Sequence, residues 1–343
     1  MNESRLRELT GRFEGIPVLV VGDFFLDRYL VIDPALAERS LETGLEARQV
    51  IDVAAQPGAA GTVTANLRAL GLRVIALGLT GDDGEGYELR QGLRAIGVDD
   101  GALLAAAGRR TPTYTKPIIR TAAGPPRELE RLDIRTRAPT PPQVEDVLIE
   151  RLSKLVPQAR AVIIADQMPE AEHGAITARV RGALARLADQ HPDVPFLADS
   201  RARIGLFERV IVKPNAGEAV RAVWPDYIGD PDIAAARRAG GTLRQRTGRP
   251  AFVTLGASGM LAMSDAGVAH IPGVALHGPI DVVGAGDSAM AAIAAGLCAG
   301  ATLEEAALLG NLAAAVTIQQ LGTTGTASPE QIMAQWRAAH SSA

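Results

Sequence analysis

Short apolar runs alternate with amphipathic stretches along most of this 343-residue chain. Pro17–Gly22 (PVLVVG) and residues 74–79 (VIALGL) are almost wholly apolar, the pattern of central strands buried on both faces. Residues 161–165, 195–198, 210–212 and 251–255 read the same way. Between them lie helical periodicities. Thr140 is placed to cap one helix, with Pro141 in its first turn and Val144, Val147, Leu148, Leu152 and Leu155 along one face. Ile176, Val180, Leu184 and Leu187 mark another. Two Ala-rich helices are expected at 288–298 and 302–320, the second opened by a capping box of Thr302 and Glu305. Strands separated by helices predict an α/β fold: a doubly wound, mainly parallel sheet with helices on both faces.

Two stretches break this pattern. Residues 33–56 are polar, with only short β-like pieces such as QVIDV at 49–53. Residues 111–120 (TPTYTKPIIR) alternate like a strand, followed by a Gly124-Pro125-Pro126 turn and the segment 128–134. Together they predict a small antiparallel flap or lid, about 30–56 and 111–134, on a single domain spanning 1–343. Surface decoration is the plainer alternative. Exposed strand edges also invite pairing, so a homodimer through the lid is expected.

Composition narrows the function. Thirty-five Lys and Arg against 39 Asp and Glu give a net charge of −4, too balanced for a polyanion-binding surface, so nucleic acid is not the expected partner. A lone cysteine, Cys298, excludes an internal disulfide framework and a Cys-rich zinc site, fits a reducing compartment, and reads as a small core residue. No apolar stretch is long enough to span a bilayer, and the first 15 residues are polar and mixed in charge, unlike a secretory leader. A cytoplasmic protein without membrane association is the resulting expectation.

Residues 280–290, IDVVGAGDSAM, carry most of the chemistry. They satisfy the loose G-x-G-x-x-[GA] pattern of dinucleotide sites, but helices follow with no strand between, and an Asp in the loop would repel a pyrophosphate. A glycine-rich turn opening a helix instead offers free amide protons and a positive dipole end to an anion, the arrangement that stabilises a phosphoryl group in transfer. Asp287, at that helix start, could accept the proton of an attacking hydroxyl; its alternative role is a helix N-cap. No G-x-S-x-G elbow, H-E-x-x-H or G-x-x-x-x-G-K-[ST] occurs, which disfavours a hydrolase and excludes a P-loop kinase.

The string DVVGAGDSAMAAIAAGL strongly resembles the D-T-x-G-A-G-D signature of the ribokinase-like (PfkB) carbohydrate kinases. Gly22-Asp-Phe-Phe-Leu-Asp27 resembles that family's first substrate loop, and Pro57–Asn66 its Gly-Gly motif. Lys213-Pro-Asn-Ala-Gly-Glu218 contains N-x-x-E, and Val253–Gly259 resembles the nucleotide-side V-T-x-G-x-x-G. The ordered set covers about residues 17–330. The GDFFLDRY, PTYTKPIIR, RLD and LGTTGT segments are most similar to the heptose-7-phosphate kinase branch.

The resemblance implies ATP-dependent phosphorylation of a sugar or sugar phosphate. Asp287 would be the general base, and Gly284, Ala285 and Gly286 the anion hole. Asn215 and Glu218 would hold Mg²⁺ through its water shell, as that reluctantly dehydrated ion prefers. Asp27 would grip sugar hydroxyls, with Gly58, Thr62 and Asp166 beside the substrate, while Asp23 could equally serve a turn. Thr254, Gly256, Gly259 and Asn311 would line the nucleotide. Asp281 and the carbonyl of Val283 correspond to a K⁺ site in some relatives. Lys116 and Arg120 in the flap could meet a substrate phosphate, or simply be solvated. Three positions depart from the pattern: Ala59 replaces the second glycine, Thr62 a frequent Asn, and Gln167 an aromatic residue of the heptose branch. Ala59 and Thr62 leave open a catalytically inactive sugar- or nucleotide-binding regulatory protein on the same fold; the intact GAGD and N-x-x-E motifs argue for chemistry.

Overall fold

The computed structural model describes residues 1–120, 126–322 and 324–341. Gly124 and Pro125 of the expected turn, and Thr323 of the LGTTGT segment, lie outside them. The chain opens with α1 (Glu3–Thr10) and β1 (Pro17–Gly22), then two long strands, β2 (Phe24–Arg39) and β3 (Glu46–Ala59). Next come α2 (Ala60–Ala69), β4 (Arg73–Gly81), α3 (Gly84–Ala95), β5 (Leu104–Ala106), β6 (Thr113–Ile119), β7 (Arg127–Glu128) and β8 (Leu132–Ile134). Helices and strands then alternate through α4 (Pro142–Leu155), β9 (Ala161–Asp166), α5 (Ala178–Gln190), β10 (Phe196–Ser200) and β11 (Ile211–Val212). The last third holds α6 (Ala216–Val223), α7 (Ile233–Thr247), β12 (Ala251–Thr254), β13 (Met260–Ser264), β14 (Gly267–Ile271), α8 (Ala285–Cys298), α9 (Leu303–Thr317) and α10 (Pro329–Ser341).

Among the described residues, nine strands form one sheet in the order β14-β13-β12-β11-β10-β9-β1-β4-β5. The pairs from β12 to β5 are parallel, and β13 and β14 close one edge antiparallel. The apolar runs explain why the sheet is covered twice. Val18 and Val20 point into one core with α2, α8 and α9, while Leu19 and Val21 point into another with α4, α5 and α7. The period of two divides β1 between two hydrophobic layers, so its positions are apolar throughout.

Two helix starts differ from the pattern-based expectation. Pro141, not Thr140, is the N-cap of α4; the Thr140 hydroxyl donates to the Gly174 carbonyl at 2.7 Å, tying the helix entrance to another loop. Val147 is 38% exposed, and Glu145 takes a buried place instead, held by Arg179 at 2.8 Å. Helix α8 begins three residues earlier than expected, within the glycine-rich turn. The capping box of Thr302 and Glu305 opens α9. Cys298 is half-buried, its thiol donating to the Arg160 carbonyl, and burial pushes its pKa up to about 12.

The lid is a second sheet, β3-β2-β6-β7, with β8 on β6. It is larger than expected and not antiparallel throughout: β2 pairs antiparallel with β3 but parallel with β6. The parallel pair forms because the whole β4–α3–β5 unit intervenes between the two strands, as a parallel crossover requires. Phe25 meets Tyr114 edge-to-face at 5.3 Å between ring centres, and both pack on Met168, fastening the root of the lid to the body. Beyond this root the lid is exposed, with Leu36, Val50, Ile51 and Val53 showing 41–55% of their surface.

Candidate active site

Asp199 in β10 and Lys213 just after β11 stand at the carboxyl ends of parallel strands, the edge at which open α/β sheets bind ligands. The turn before α8 meets this edge through Lys213. Gly284 is its N-cap, with φ 81°, a left-handed conformation that a side chain would strain, and a Cβ there would lie 2.7 Å from Thr324 Cγ2. Asp287 is the third residue of the helix and makes no capping bond, so the capping role expected as an alternative falls to Gly284's backbone. The Ala285 N–H is drawn back to the Val282 carbonyl at 3.2 Å, which removes one of the expected anion donors. Among the described residues this leaves the amides of Gly284, Gly286 and Asp287 for an anion.

Asp287 is partly exposed beside Lys213 and Asp199. Burial, and then the neighbouring Asp199 carboxylate, push its pKa up to about 7, against the pull of Lys213 and Arg201. Lys213 is 2% exposed and pairs with Asp199 at 2.9 Å. It stands at the mouth of the glycine turn: a Cβ on Gly286 would be 3.6 Å from its ammonium. Despite burial its pKa is raised, because Asp199, Glu218 and Asp287 all favour the charged form. Lysine was visible only as part of a motif; its role depends on three carboxylates from three elements, which no local pattern shows.

Asn215 and Glu218 follow β11 and form a reciprocal capping box on α6, each side chain accepting from the other's backbone N–H at 2.8 Å. Glu218's pKa is raised by burial and by Asp199. Asn215 also bridges to Thr254. Asn215 and Thr254, with Gly217, Arg221, Gly256 and Ser258 but without Glu218, line a cavity of about 580 Å³, the candidate nucleotide site. Gly259 and Asn311 do not line this cavity. Gly259 passes so close to β14 that a Cβ would sit 2.1 Å from the Ile271 carbonyl, and the Asn311 amide donates to the carbonyls of Ile271 and Pro272 at 3.2 and 3.0 Å. Both shape the wall behind the cavity.

Opposite lies the sugar-side candidate. Asp27, on β2, pairs in register with Gln56 on β3, and a Cβ on nearby Gly58 would come within 2.7 Å of Asp27 Oδ2, so glycine leaves room for that carboxylate. Burial raises the pKa of Asp27 against the field of Lys116, 3.8 Å away, and of Arg131. Thr62 lies beside Gly284, 3.6 Å from where a Cβ would be. Lys116 also donates to the Tyr29 hydroxyl at 3.2 Å. Arg131 lies over the Tyr114 ring at 4.2 Å, paired with Asp133; the RLD segment pointed to it only as part of a resemblance. Arg120, by contrast, is exposed beyond the end of β6. Ala59 keeps the backbone its glycine counterpart would take, with φ 55° and ψ −117°, a strained position of the kind that collects at functional sites.

Asp166, expected beside the substrate, and Asp23, for which a turn role was equally expected, are both bonded within the fold. Asp166 is 1% exposed, and its oxygens accept from Ser200 and from the guanidinium of Arg203. Both oxygens are thus engaged by protein donors, as a buried carboxylate requires. Asp23 is also buried, accepting from the amides of Gln167, Met168 and Ala175 at 2.7–2.9 Å, the turn role rather than the substrate role. Arg203→Ala is therefore expected to cost about 3–5 kcal/mol of folding free energy by leaving Asp166 uncompensated. Urea denaturation measures this, and a loss below about 1 kcal/mol would show that the pair is dispensable. Asp281 accepts from Val283 N–H at 3.0 Å, a local turn on the surface. Among the described residues, no three His, Cys, Asp or Glu side chains converge as a metal cluster, and no helix is long and apolar enough to cross a membrane.

Comparison with known proteins agrees with this architecture. Arabidopsis thaliana ribokinase, solved with ribose and ATP, superposes with a TM-score of 0.66 at 16% identity over 94% of this chain and 98% of its own. Escherichia coli phosphofructokinase-2, solved with fructose-6-phosphate, gives 0.68 at 18% over 95% and 99%. The fold is thus ribokinase-like. Residues 28–331 match the model of the pfkB family carbohydrate kinases, and the chain belongs to that family. It is accordingly a carbohydrate kinase, a family for which ATP is the implied phosphoryl donor. Curated relatives include the bifunctional protein HldE of Hyphomonas neptunium, 33% identical over 96% of this chain, and that of Trichlorobacter lovleyi, 31% identical over 97%. The chain spans 65% of the length of each.

Proposed function

We propose that this chain transfers the γ-phosphoryl group of ATP to a hydroxyl of a sugar phosphate, a heptose 7-phosphate at its 1-position. What supports this reading most is Asp287, its pKa pushed up to about 7 by burial and then by Asp199, in a field to which Lys213 and Asp27 also contribute, and placed in a glycine turn with Lys213 beside it. Asp287 takes the hydroxyl proton as the oxygen attacks phosphorus. The amides of Gly286 and Asp287 and the ammonium of Lys213 meet the developing charge. Asp27 holds sugar hydroxyls through charge-assisted bonds, with Gly58 and Thr62 as neighbours.

Thr254, Gly256 and Asn215 face the nucleotide from their shared cavity. Mg²⁺ suits Asn215 and Glu218 as partners of its water shell, since the ion keeps most of its waters and needs no cluster of direct carboxylates. Asn215 and Glu218 would hold its water shell, and the ion would neutralise phosphate charge. Asp281 and the Val283 carbonyl are the candidates for K⁺. Lys116 and Arg131, both acting on Asp27, supply the positive charge that a substrate carrying its own phosphate needs. The name of the HldE relatives is consistent with this substrate class. The exposed lid would close over the sugar and exclude water, and its apolar outer face favours pairing of two lids in a homodimer.

ADP release with Mg²⁺ and ATP over ribose, fructose 6-phosphate, mannose 6-phosphate and heptose 7-phosphate tests the proposal. Heptose 7-phosphate should show a kcat/KM at least about tenfold above the unphosphorylated sugar, the worth of one ionic contact. A preference for ribose would sink the sugar-phosphate assignment.

A further inference from the structure

Two arginines leave the carboxyl end of β10, and only one is used by the fold. Arg203 is consumed by Asp166 and by the carbonyls of Met168 and Pro169. Arg201, whose N–H donates to the Asp166 carbonyl, has an exposed side chain with no hydrogen-bond or ion-pair partner among the described residues. Its place is fixed by what surrounds it. Two residues before it is Asp199, paired with Lys213, and Lys213 lies against Gly286 in the glycine turn. Its charge also acts on Asp287 on α8 and on Tyr114 on β6, so it stands between the glycine turn and the lid strand.

We propose that Arg201 is a catalytic cation that grips the phosphoryl group while it passes from nucleotide to sugar. The proposal rests on the kinase reading above and adds a residue to it. During transfer, a bond forms between the sugar oxygen and the γ-phosphorus as the bond to the β-phosphate oxygen breaks. The electron pair of that bond leaves with ADP, and the hydroxyl proton goes to Asp287. Charge spreads over three equatorial oxygens, and neutral amides alone leave that charge without a counter-charge. Lys213 is a point charge already shared with Asp199. A planar guanidinium free of protein partners can offer two parallel N–H groups to two of those oxygens. Arg201 is kept unpaired in a cluster where every other cation is spoken for, which suits a group whose partner arrives with the substrate.

Steady-state kinetics of Arg201→Ala and Arg201→Lys with ATP and heptose 7-phosphate provide the test. The alanine variant should lose about 10³-fold in kcat, the low end for an arginine serving phosphoryl transfer, with the KM for ATP little changed. Lysine should recover part of the loss. The acid limb of kcat/KM should move to higher pH in the alanine variant only, because the cation that favours ionised Asp287 has gone; a merely structural arginine would not move it. Binding of Mg·ADP with and without aluminium fluoride reads the same contact without a sugar. The fluoride complex should weaken at least tenfold in Arg201→Ala while ADP alone is unaffected. Equal fluoride affinities in wild type and variant would overturn the proposal, whereas a wild type that binds the fluoride complex but phosphorylates no sugar would count against the substrate reading and not against the arginine.

Discussion

Asp287→Asn is expected to lower kcat by about 10³-fold, within the range of about 10²–10⁴ that a positioned general base contributes. The substitution keeps size and removes only the ability to accept a proton, so the KM values for ATP and sugar should change little. Wild-type activity should fall as pH drops through about 7, where the carboxylate takes up a proton and ceases to be a base. The sign for stability is opposite. A carboxyl whose pKa is raised in the folded state favours folding while protonated and disfavours it once ionised. Above pH 7 the asparagine variant should therefore be at least as stable thermally as the wild type, which separates lost chemistry from lost folding. A pH–rate profile without a limb near neutrality, or a variant retaining more than a tenth of the activity, would remove Asp287 from the mechanism.

Asp27→Asn is expected to raise the sugar KM by about 100-fold and leave the ATP KM unchanged. Two charge-assisted bonds at about 1.5–3 kcal/mol each are at stake, and an amide retains one acceptor, so a loss of about 3 kcal/mol follows. The position makes this a clean experiment: Gly58 leaves room for the carboxylate, and Lys116 at 3.8 Å is its ion-pair partner. Asparagine also frees Lys116 from that pairing, so affinity for the phosphate of a sugar phosphate should fall less than affinity for hydroxyls. Isothermal titration with heptose 7-phosphate and with its unphosphorylated sugar measures both. A sugar KM within twofold of wild type would mean that Asp27 serves the lid and not the ligand.

Elements whose residues meet locally were legible in the chain. The strands at 17–22 and 161–165 are apolar at every step because both sheet faces are buried, and the Thr302–Glu305 box opens its helix as two residues three apart can. The outer pair β13 and β14 was not anticipated: an antiparallel edge adds strands after the last parallel one, where no helix between them marks the boundary. The lid was expected as an antiparallel flap, yet β6 joins β2 in parallel, a choice made by the crossover that separates them. Thr140 resembled a cap by composition, but Gly174, distant in sequence, claimed its hydroxyl.

For the site, the residue order alone carried the glycine turn, Asp287 and the N-x-x-E pair, since backbone geometry and a neighbouring carboxylate are properties of a few consecutive residues. Tertiary structure decided which charges remain available. Asp166 and Asp23 are equally acidic in the chain, but burial obliges each to be matched by donors from remote loops, and both are engaged within the fold. Lys213 and Arg201 became members of the site only when β10, β11, α6 and α8 were brought together, because Coulomb interactions depend on distance through space and not on separation along the chain.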